Sequence, residues 1–402
     1  MTAVRDGIEA FVNKEVIPRY EEHQDLFSNQ RRLYQEDGRF CDTALTLIRE
    51  VRMASAEAGY YNMCVPKEIG GFGMGCLAYY LAWEQVNRMC GGHNILGTYA
   101  ISHWAFGPSQ ILLEVSPQVR AEMLAPMMTG EKSMCFGMSE PDAGSDVAMI
   151  RTRAVAEPEG AGWRLNGRKI WITNAPYADY AIVFAITDHQ RAQQRKGGIS
   201  AFLIPTDSPG FEIESVVRMY GEIGGNEGAV VLDNILVQPH QLVGKLHEGF
   251  RIGILGVSLG RVYNSARAVG LARWALGLAF EYSKIREVFD HTIDEYQGVM
   301  FPLTESAMEV HAAHLMGLNA ASLLDRGDRA IKELSMAKAY SVEVCLRAID
   351  RAIQTHGAMG FTNELGLTEA LKFVRVVNVA DGTNEILRRT ILHRMLRGDM
   401  EL

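Results

Sequence analysis

The spacing of hydrophobic residues changes twice along the 402-residue chain. Up to about Met134 the apolar positions recur with a helical period, as over residues 43–58. From Gly249 onward this period returns, and residues 331–355 and 385–397 form long amphipathic stretches with few helix breakers. These patterns predict two helical regions, of which the second packs as a helical bundle.

Short strand-like segments fill the region between the two helical parts. Residues 163–165 and 168–173 flank Asn166-Gly167, a dipeptide typical of a two-residue hairpin turn. Four further strands are expected at 181–187, 199–205, 211–219 and 229–237. This spacing suits a compact antiparallel barrel or sandwich, and the segregation of strands from helices disfavours a parallel nucleotide-binding sheet. The expected domain boundaries are 1–134, 135–247 and 248–402.

Charge and cysteine usage exclude several classes of function. The 40 basic and 48 acidic residues give a net charge of −8, which argues against a broad nucleic-acid surface but not against small anion sites. No run approaches the ~18 apolar residues of a membrane span, and the first residues lack an apolar signal core, so we expect a cytoplasmic protein without a membrane anchor. The six cysteines are scattered without C-x-x-C pairs, so reduced thiols and no structural metal are expected.

Two segments of the middle region contain residues that could carry chemistry. In Phe136-Gly-Met-Ser-Glu-Pro-Asp-Ala-Gly-Ser-Asp146 the glycines permit close approach of a ligand, and the two serine hydroxyls could bind carbonyl or phosphate oxygens. A polar turn capped by Asp146 would have the same sequence. Trp171 lies within Lys169-Ile-Trp-Ile-Thr-Asn174, and the pattern alone favours a core position for its side chain.

Three further segments lie among the C-terminal helices. Arg286, between two helices, could bind a diphosphate or remain solvated. The glycine-rich stretch 354–361 has the composition of a helix C-cap, and Asp381 or Thr383 could be the N-cap of the last helix. Each segment is weak evidence when it is considered alone.

Taken in order, the five segments resemble the acyl-CoA dehydrogenase family along nearly the whole chain. Met138-Ser-Glu-Pro-Asp-Ala-Gly-Ser-Asp146 is similar to the T-E-P-x-A-G-S-D signature, with Ser139 in place of threonine. Lys169-Ile-Trp-Ile-Thr-Asn174 resembles the flavin-contacting W-I-T strand, Arg286-x-x-Phe289 with Gln297 resembles R-x-x-F-G-…-Q, and residues 354–360 resemble Q-x-x-G-G-x-G. The resemblance implies an α+β fold with an N-terminal helical domain, a middle antiparallel β-barrel and a C-terminal four-helix bundle.

The resemblance also implies FAD as cofactor, held between the middle domain and the C-terminal helices. The residues it assigns to FAD are Phe136, Met138, Ser139, Ser145, Trp171, Ile172, Thr173, Arg286, Phe289, Gln297, Gln354, Thr355, His356, Gly357, Ala358, Thr383 and Glu385. Residues 354–358 are expected to come from a neighbouring subunit, so the implied assembly is at least a dimer, and in this family commonly a dimer of dimers. Ser145, Ser258, Arg261 and Gly382 are assigned to the substrate, and no metal is expected.

The implied catalytic base is Asp381, because Asp381-Gly-Thr383 aligns with the E-G-T turn of the family. Aspartate is one methylene shorter than glutamate, so its carboxylate reaches about 1.5 Å less far. Gly260 occupies the position of the family's alternative glutamate, so Asp381 has no rival there. Ser258 stands where the family's D-x-x-R run has its acid, while Arg261 is retained.

The leading hypothesis is α,β-dehydrogenation of an acyl-CoA thioester to the trans-2-enoyl-CoA, with electrons passed to an electron-transfer flavoprotein. An aspartate at this turn also resembles nitroalkane oxidases, in which Asp381 would deprotonate a nitroalkane and O2 would be the oxidant. A non-catalytic flavoprotein partner is the third alternative. Tyr99 and Trp104 lie where the family builds its acyl pocket, although core packing explains both residues equally well.

Overall fold

Residues 2–401, which the computed structural model describes, form thirteen α-helices and ten β-strands. The helices are α1 (Thr2–Phe11), α2 (Ile17–Glu22), α3 (Gln24–Phe27), α4 (Gln30–Leu33), α5 (Asp42–Glu57), α6 (Gly75–Cys90), α7 (Pro117–Met128), α8 (His189–Gln193), α9 (Gly249–Ser283), α10 (Gln297–Asp325), α11 (Ile331–His356), α12 (Leu367–Val377) and α13 (Asn384–Leu396). The strands are β1 (Met134–Gly137), β2 (Arg153–Ala156), β3 (Trp163–Thr173), β4 (Tyr180–Ile186), β5 (Ile199–Pro205), β6 (Phe211–Val216), β7 (Glu227–Val237), β8 (Leu242–Val243), β9 (Glu287–Val288) and β10 (His291–Thr292).

The chain divides into two compact units, each built from separate stretches of sequence. The helical unit combines the N-terminal residues up to Ser28 with Met74–Ile101 and everything from Ser258 onward. The sheet unit combines Asn29–Gly73 with Ser102–Val257. The division into 1–134, 135–247 and 248–402 stays a prediction, because these units cut across it.

The helical unit is organised around α11. This helix contacts α10, α12 and α13, and residues along its length are buried, among them Val342, Cys345 and Ile349. Small residues of α9 such as Ala272 and Ala275 join the same core. The apolar stripes read from the sequence therefore produce the helical packing that they predict. The predicted helix 331–355 is observed as Ile331–His356, and 385–397 as Asn384–Leu396.

The sheet unit contains one eight-stranded sheet, and it corrects the expected antiparallel barrel. The strand order is β6-β7-β3-β2-β4-β5-β8, with β1 also paired to β4. The terminal strands β6 and β8 do not pair with each other in the described residues, so the sheet is open. It is also mixed, because β1 and β2 run parallel to β4. Only Arg153 and Ile186 join β2 to β4, and β8 has two residues, too few to close a barrel.

The predicted hairpin at Asn166-Gly167 is wrong. Strand β3 runs without a turn from Trp163 to Thr173, with β2 on one side and β7 on the other. The pairing with β7 shifts register between Leu165 and Gly167, so a bulge absorbs the dipeptide. A Cβ atom on Gly167 would lie 2.3 Å from the Thr152 hydroxyl oxygen. Glycine is therefore required here for close packing, and not for a turn.

The described residues contain neither a candidate membrane span nor a candidate metal cluster. No helix within residues 2–401 combines the length and apolar character needed to cross a bilayer. Over the same residues, His, Cys, Asp and Glu side chains do not gather in any group of three or more that could bind a metal ion.

Candidate active site

The first candidate segment begins on β1, which lies beside β4 in the sheet unit. The ring of Phe136 is largely buried, with its centroid 4.8 Å from that of Trp104 and 4.9 Å from that of Phe184. Met138 and Ser139 follow the strand and are half-buried. The backbone N–H of Ile170 donates to the carbonyl oxygen of Ser139 at 3.1 Å. This hydrogen bond ties the loop after β1 to the segment that contains Trp171.

A buried ion pair makes the second connection between these segments. Lys169 Nζ lies 2.7 Å from Glu140 Oε1, and their side chains are 1% and 5% exposed. The carboxylate also accepts from the backbone N–H groups of Arg151 and Thr152 and from the Thr152 hydroxyl. Burial alone would raise the pKa of Glu140, but Lys169 and these donors outweigh it and lower that pKa. Burial lowers the pKa of Lys169 to about 8, with Glu140 opposing the shift.

Trp171 is strained and exposed, contrary to the core position that its pattern favours. Its φ is +62°, and the indole is 57% exposed. The register of β3 against β7 shifts between Lys169 and Ile172, so Trp171 lies in a bulge. A bulge re-aims a side chain, and a bulky residue at positive φ is uncommon outside functional sites. Ile172 is buried in the sheet core and Thr173 is half-buried. The Ile172 side chain is therefore not available to a ligand.

Ser145 lies in an exposed loop of the sheet unit. Its neighbour Asp146 makes no side-chain cap to the turn that follows, although the polar-turn interpretation required one. Asp146 instead pairs with Arg195 Nη2 at 2.5 Å. The serine is accessible to a ligand, but no contact within the loop assigns it a role.

In the helical unit, Asp381 lies in the turn between α12 and α13. Its φ is +53° and that of Gly382 is +94°, so two successive residues adopt left-handed conformations. Asn264 Nδ2 on α9 donates to Asp381 Oδ2 at 2.7 Å, and Arg261 Nε donates to the Asp381 carbonyl at 3.3 Å. Both the carboxylate and the backbone of Asp381 are therefore held by one face of α9.

A buried lysine supports the same turn from α11. Lys338 Nζ donates to the Gly382 carbonyl at 2.9 Å and to Asn384 Oδ1 at 3.2 Å, and its side chain is fully buried. Burial lowers the pKa of Lys338 to about 8, Asp381 opposes this shift, and Arg261 adds to it. Burial likewise lowers the pKa of Arg261, and Asp381 offsets part of that effect. Two cationic groups thus flank the candidate base.

The remaining residues predicted near this turn lie on α9 and at the start of α13. Ser258 and Arg261 are half-buried and three residues apart on α9, so they share a face. Thr383 is the N-cap of α13, accepting from the Ile386 N–H at 3.2 Å, as the alternative interpretation proposed. The backbone N–H of Glu385 and the Thr383 hydroxyl both hydrogen-bond the Glu385 carboxylate and lower its pKa. Glu385 is exposed in the first turn of α13.

Arg286 and Phe289 lie at a small exposed hairpin between α9 and α10, and Gln297 follows it along the chain. Strands β9 and β10 pair here, and Phe289 and Asp290 form the turn with φ of +52° and +66°. Phe289 is 88% exposed and Arg286 is also exposed. Gln297 is the first residue of α10 and is likewise exposed.

The glycine-rich stretch ends α11, with Gly357 as its C-cap at φ +59°. Gln354, Gly357 and Ala358 are exposed, and the Thr355 hydroxyl donates to the Arg351 carbonyl at 2.8 Å. His356 is instead buried, with Nδ1 2.8 Å from the Ala352 carbonyl oxygen. Its side chain is therefore a packing group.

The predicted residues therefore form local groups within each unit. In the sheet unit, the Met138–Ser139 loop lies against the strand of Trp171. In the helical unit, Asp381 and Gly382 lie against the α9 face of Arg261. Tyr282 links the other two segments of the helical unit, since its ring stacks on His356 and its carbonyl accepts from the Arg286 N–H.

Three supporting residues carry no role in the sequence-based prediction. Asn264 follows Arg261 by three positions, so helical spacing could have placed it on the same face. Glu140 lies within the Met138–Asp146 motif, but its buried lysine partner is 29 positions away. Nothing local marks Lys338 as a support for a turn that is 44 positions away.

Comparison with known proteins finds three domains of one family in order along the chain. The acyl-CoA dehydrogenase N-terminal domain matches residues 1–131, the middle domain 135–235 and the C-terminal domain 247–396. The chain is 32% identical to the probable acyl-CoA dehydrogenase YngJ of Bacillus subtilis, over 98% of this chain and 97% of that protein. It is 30% identical to the caffeyl-CoA reductase-Etf complex subunit CarC of Acetobacterium woodii, over 87% of this chain and 90% of that one.

Two solved structures share the fold. Butyryl-CoA dehydrogenase from Megasphaera elsdenii superposes with a TM-score of 0.83 at 25% identity, covering 98% of both chains. A glutaryl-CoA dehydrogenase from Mycobacterium smegmatis in complex with FADH2 gives 0.82 at 25% identity, covering 99% of this chain and 94% of that one. The chain belongs to the acyl-CoA dehydrogenase family, as its motifs predict, and is an oxidoreductase acting on CH–CH bonds.

Proposed function

We propose that the protein catalyses FAD-dependent α,β-dehydrogenation of an acyl-CoA thioester, with Asp381 as the base. The observation that carries this proposal is the arrangement of Asp381 in its strained turn. Asn264 holds one carboxylate oxygen at 2.7 Å, and Arg261 and Lys338 supply positive charge nearby. Opposite charges nearby favour the ionised form of a carboxylate, which is the form a base requires.

The residues of the chain fit FAD, the cofactor of this family. The exposed indole of Trp171, held in a bulge beside half-buried Thr173, offers a flat apolar surface next to a hydroxyl. Exposed Arg286 offers a bidentate donor suited to a diphosphate. When bound, FAD supplies the acceptor for the hydride that leaves the β-carbon of the acyl group.

The residues around Asp381 define its part in the reaction. The carboxylate takes the proton from the α-carbon of the thioester, and Asn264 keeps one of its oxygens fixed while it does so. Lys338 and Arg261 bind the carbonyls of Gly382 and Asp381, so they hold the backbone of the turn rather than the proton. This support is consistent with the shorter side chain, because a carboxylate with less reach depends more on where the backbone places it. Ser258 and Gly382 are the further substrate contacts that we propose.

One relative and the exposed aromatic residues support our proposals on electron transfer and assembly. The similarity to the CarC subunit of a caffeyl-CoA reductase-Etf complex supports an electron-transfer flavoprotein as the acceptor. Phe289 and Phe361 are 88% and 68% exposed, which large aromatics seldom are in an isolated subunit. They support a homo-oligomer, in which the stretch 354–358 completes a neighbouring site, and we propose a dimer of dimers.

Anaerobic mixing of the flavin-loaded enzyme with acyl-CoA thioesters tests this function. We expect thioesters to bleach the flavin, and Asp381→Asn to keep bound flavin while slowing bleaching at least about a hundredfold. Asp350→Asn, an exposed carboxylate on α11, is the matched control and should behave as the parent. Undiminished bleaching by Asp381→Asn would refute the base, and bleaching by nitroethane but by no thioester would favour the nitroalkane oxidase alternative.

A further inference from the structure

A buried asparagine at the start of α13 closes the loop that contains Asp381. Asn384 is the first residue of this helix and is 3% exposed. Its backbone N–H, one of the first N–H groups of a helix that lack a partner within it, donates to the Asn378 carbonyl at 3.1 Å. Its side-chain Nδ2 donates to Asn378 Oδ1 at 2.7 Å. These two hydrogen bonds, which we call the asparagine clamp, join the ends of the loop 378–384.

The surroundings of Asn384 permit only one orientation of its side-chain amide. Its Oδ1 accepts from Lys338 Nζ at 3.2 Å, and a lysine ammonium is only a donor. Its Nδ2 faces three acceptors, which are Asn378 Oδ1, the Ala339 carbonyl oxygen at 3.3 Å and Glu343 Oε1 at 3.2 Å. A flipped amide would set its NH2 group against the ammonium and its oxygen against three other oxygens. The buried contacts therefore fix this side chain.

Helix α11 anchors the clamp. The α11 residues that contact Asn384 run from Lys338 to Glu343. Glu343 is in turn bound by Arg388, whose Nη2 lies 2.6 Å and 2.8 Å from the two carboxylate oxygens. Arg388 follows Asn384 by four positions on α13, so one face of this helix makes both contacts. One end of the Asp381 loop is thus fixed to the helix around which the helical unit is organised.

The clamp and the carbonyl contacts act on the same strained turn. Asp381 and Gly382 lie between the clamped ends, with φ of +53° and +94°. Such a turn persists only where neighbouring groups over-determine it. Lys338 and Arg261 bind carbonyls in the middle of the loop, whereas the asparagine clamp fixes where the loop begins and ends. Without the clamp, the strained backbone would relax, and the carboxylate would move with it.

We infer that Asn384 is a positioning residue for the base, because its clamp sets the reach of the Asp381 carboxylate. The inference rests on the proposed function, in which this carboxylate takes the α-proton. Proton transfer needs the two heavy atoms within about 2.6–3.2 Å of each other. Aspartate reaches about 1.5 Å less far than glutamate, so its backbone has to lie correspondingly closer to the substrate. The clamped loop provides that placement, and it makes the site selective for aspartate over glutamate.

A longer base tests this inference in the flavin-loaded enzyme, with butyryl-, isovaleryl- or octanoyl-CoA, whichever bleaches the parent flavin fastest. Asp381→Glu keeps a carboxylate, but in the clamped loop it should slow anaerobic bleaching at least about tenfold, because the group is misplaced by about 1.5 Å. Asn378→Ala or Asn384→Ala opens the clamp, and either should slow the aspartate enzyme at least about tenfold. In these opened enzymes, Asp381→Glu should cost less than about a further threefold, because a relaxed loop accommodates the longer side chain.

Further measurements separate positioning from a loss of structure. In the Asp381→Asn background, the calorimetric Kd of the thioester should change less than about threefold on opening the clamp, because the clamp acts on the base and not on binding. Amide hydrogen exchange at 379–383, without thioester, should become at least about tenfold faster. Asn319→Ala, an exposed asparagine on α10, is the matched control and should behave as the parent. Unfolding midpoints identify variants that do not fold, and half-buried Asn378 provides a milder change than Asn384.

The outcomes distinguish this inference from the proposed function. An equal effect of Asp381→Glu in the clamped and opened enzymes, with Asp381→Asn inactive, would overturn the positioning role and leave the base assignment intact. Bleaching at the parent rate by folded clamp variants, or unchanged hydrogen exchange at 379–383, would overturn it as well. If no thioester bleaches the parent flavin, the proposed function fails, and the positioning role fails with it.

Discussion

Removing one member of the Glu140–Lys169 pair tests whether this pair holds the two candidate segments of the sheet unit together. Lys169→Met keeps the side-chain length and removes the charge that lies 2.7 Å from Glu140 Oε1. The Glu140 carboxylate then stays buried with the hydroxyl and N–H of Thr152 and the N–H of Arg151 as partners, but with no cation. Loss of a cation from a pair this deeply buried destabilises far more than loss from a surface pair.

The expected magnitude follows from the burial of both side chains, which are 1% and 5% exposed. Breaking such a pair from one side costs about 3–5 kcal/mol. At roughly 2–4 °C per kcal/mol for a unit of this size, the unfolding midpoint should fall by about 6–20 °C. Arg164→Gln is the matched control, because its 2.8 Å pair with Glu157 lies in the same unit but is 39% and 29% exposed. That change should cost no more than about 1 kcal/mol.

Urea and thermal unfolding measure the loss, and flavin content after gel filtration measures its effect on the site. The double variant Glu140→Gln with Lys169→Met should lose less than the sum of the single changes, because it leaves no unpaired buried charge. The pKa of Glu140 is lowered in the folded state, so its contribution to the free energy of unfolding is complete above about pH 4.5 and is lost as the pH falls. Glu140→Gln should remove that pH dependence. A loss below about 1 kcal/mol for Lys169→Met, or full additivity in the double variant, would refute this account.

Two further predictions concern the strained positions. Burial lowers the pKa of Lys338 to about 8, so this lysine should lose its charge as the pH rises through that value. Its hydrogen bonds to Gly382 and Asn384 then weaken, and kcat/KM should fall above pH 8. Lys338→Met should abolish this transition and lower the activity below pH 8, and a pH profile that this variant leaves unchanged would contradict the prediction. The backbone of Trp171 has a φ of +62°. Trp171→Gly should therefore be about 1 kcal/mol more stable than Trp171→Ala in urea unfolding, although alanine is normally the better strand residue of the two. The reverse order would show that the backbone there is not strained.

The helical regions could be predicted closely because their apolar stripes are long. α11 is confirmed within one residue of its predicted C-terminal end, and α13 begins one residue before its predicted start. In the strand region, β5 matches its predicted bounds, but the hairpin at Asn166-Gly167 does not exist. The dipeptide signal describes a local preference, whereas the packing of Gly167 on Thr152 is a long-range requirement that the local sequence does not contain. Barrel closure failed as a prediction for the same reason, since it depends on how strand edges meet.

Motif resemblance identified the candidate site residues but not what holds them. Asp381 and Trp171 come from short signatures, and Asp381 is half-buried while the Trp171 indole is 57% exposed. The exposure of Trp171 contradicts its hydrophobic pattern, because the bulge in β3 reverses the face that alternation predicts. Asn264 and Lys338 have no motif of their own, and their contacts with the Asp381 turn exist only once α9, α11 and α13 are packed together.

Trp171 and Asp381, two of the signature residues at positive φ, share one physical explanation. A strained backbone persists only where neighbouring groups over-determine it, and such positions cluster in functional sites. Lys169, two residues before Trp171, is bound to Glu140, while the turn of Asp381 is bound by Asn264 and by Lys338. In each case a buried lysine, with its pKa lowered to about 8, holds the segment in place. Because burying these cations costs stability, their position beside the two strained residues indicates that this fold gives up stability to fix the conformation of both.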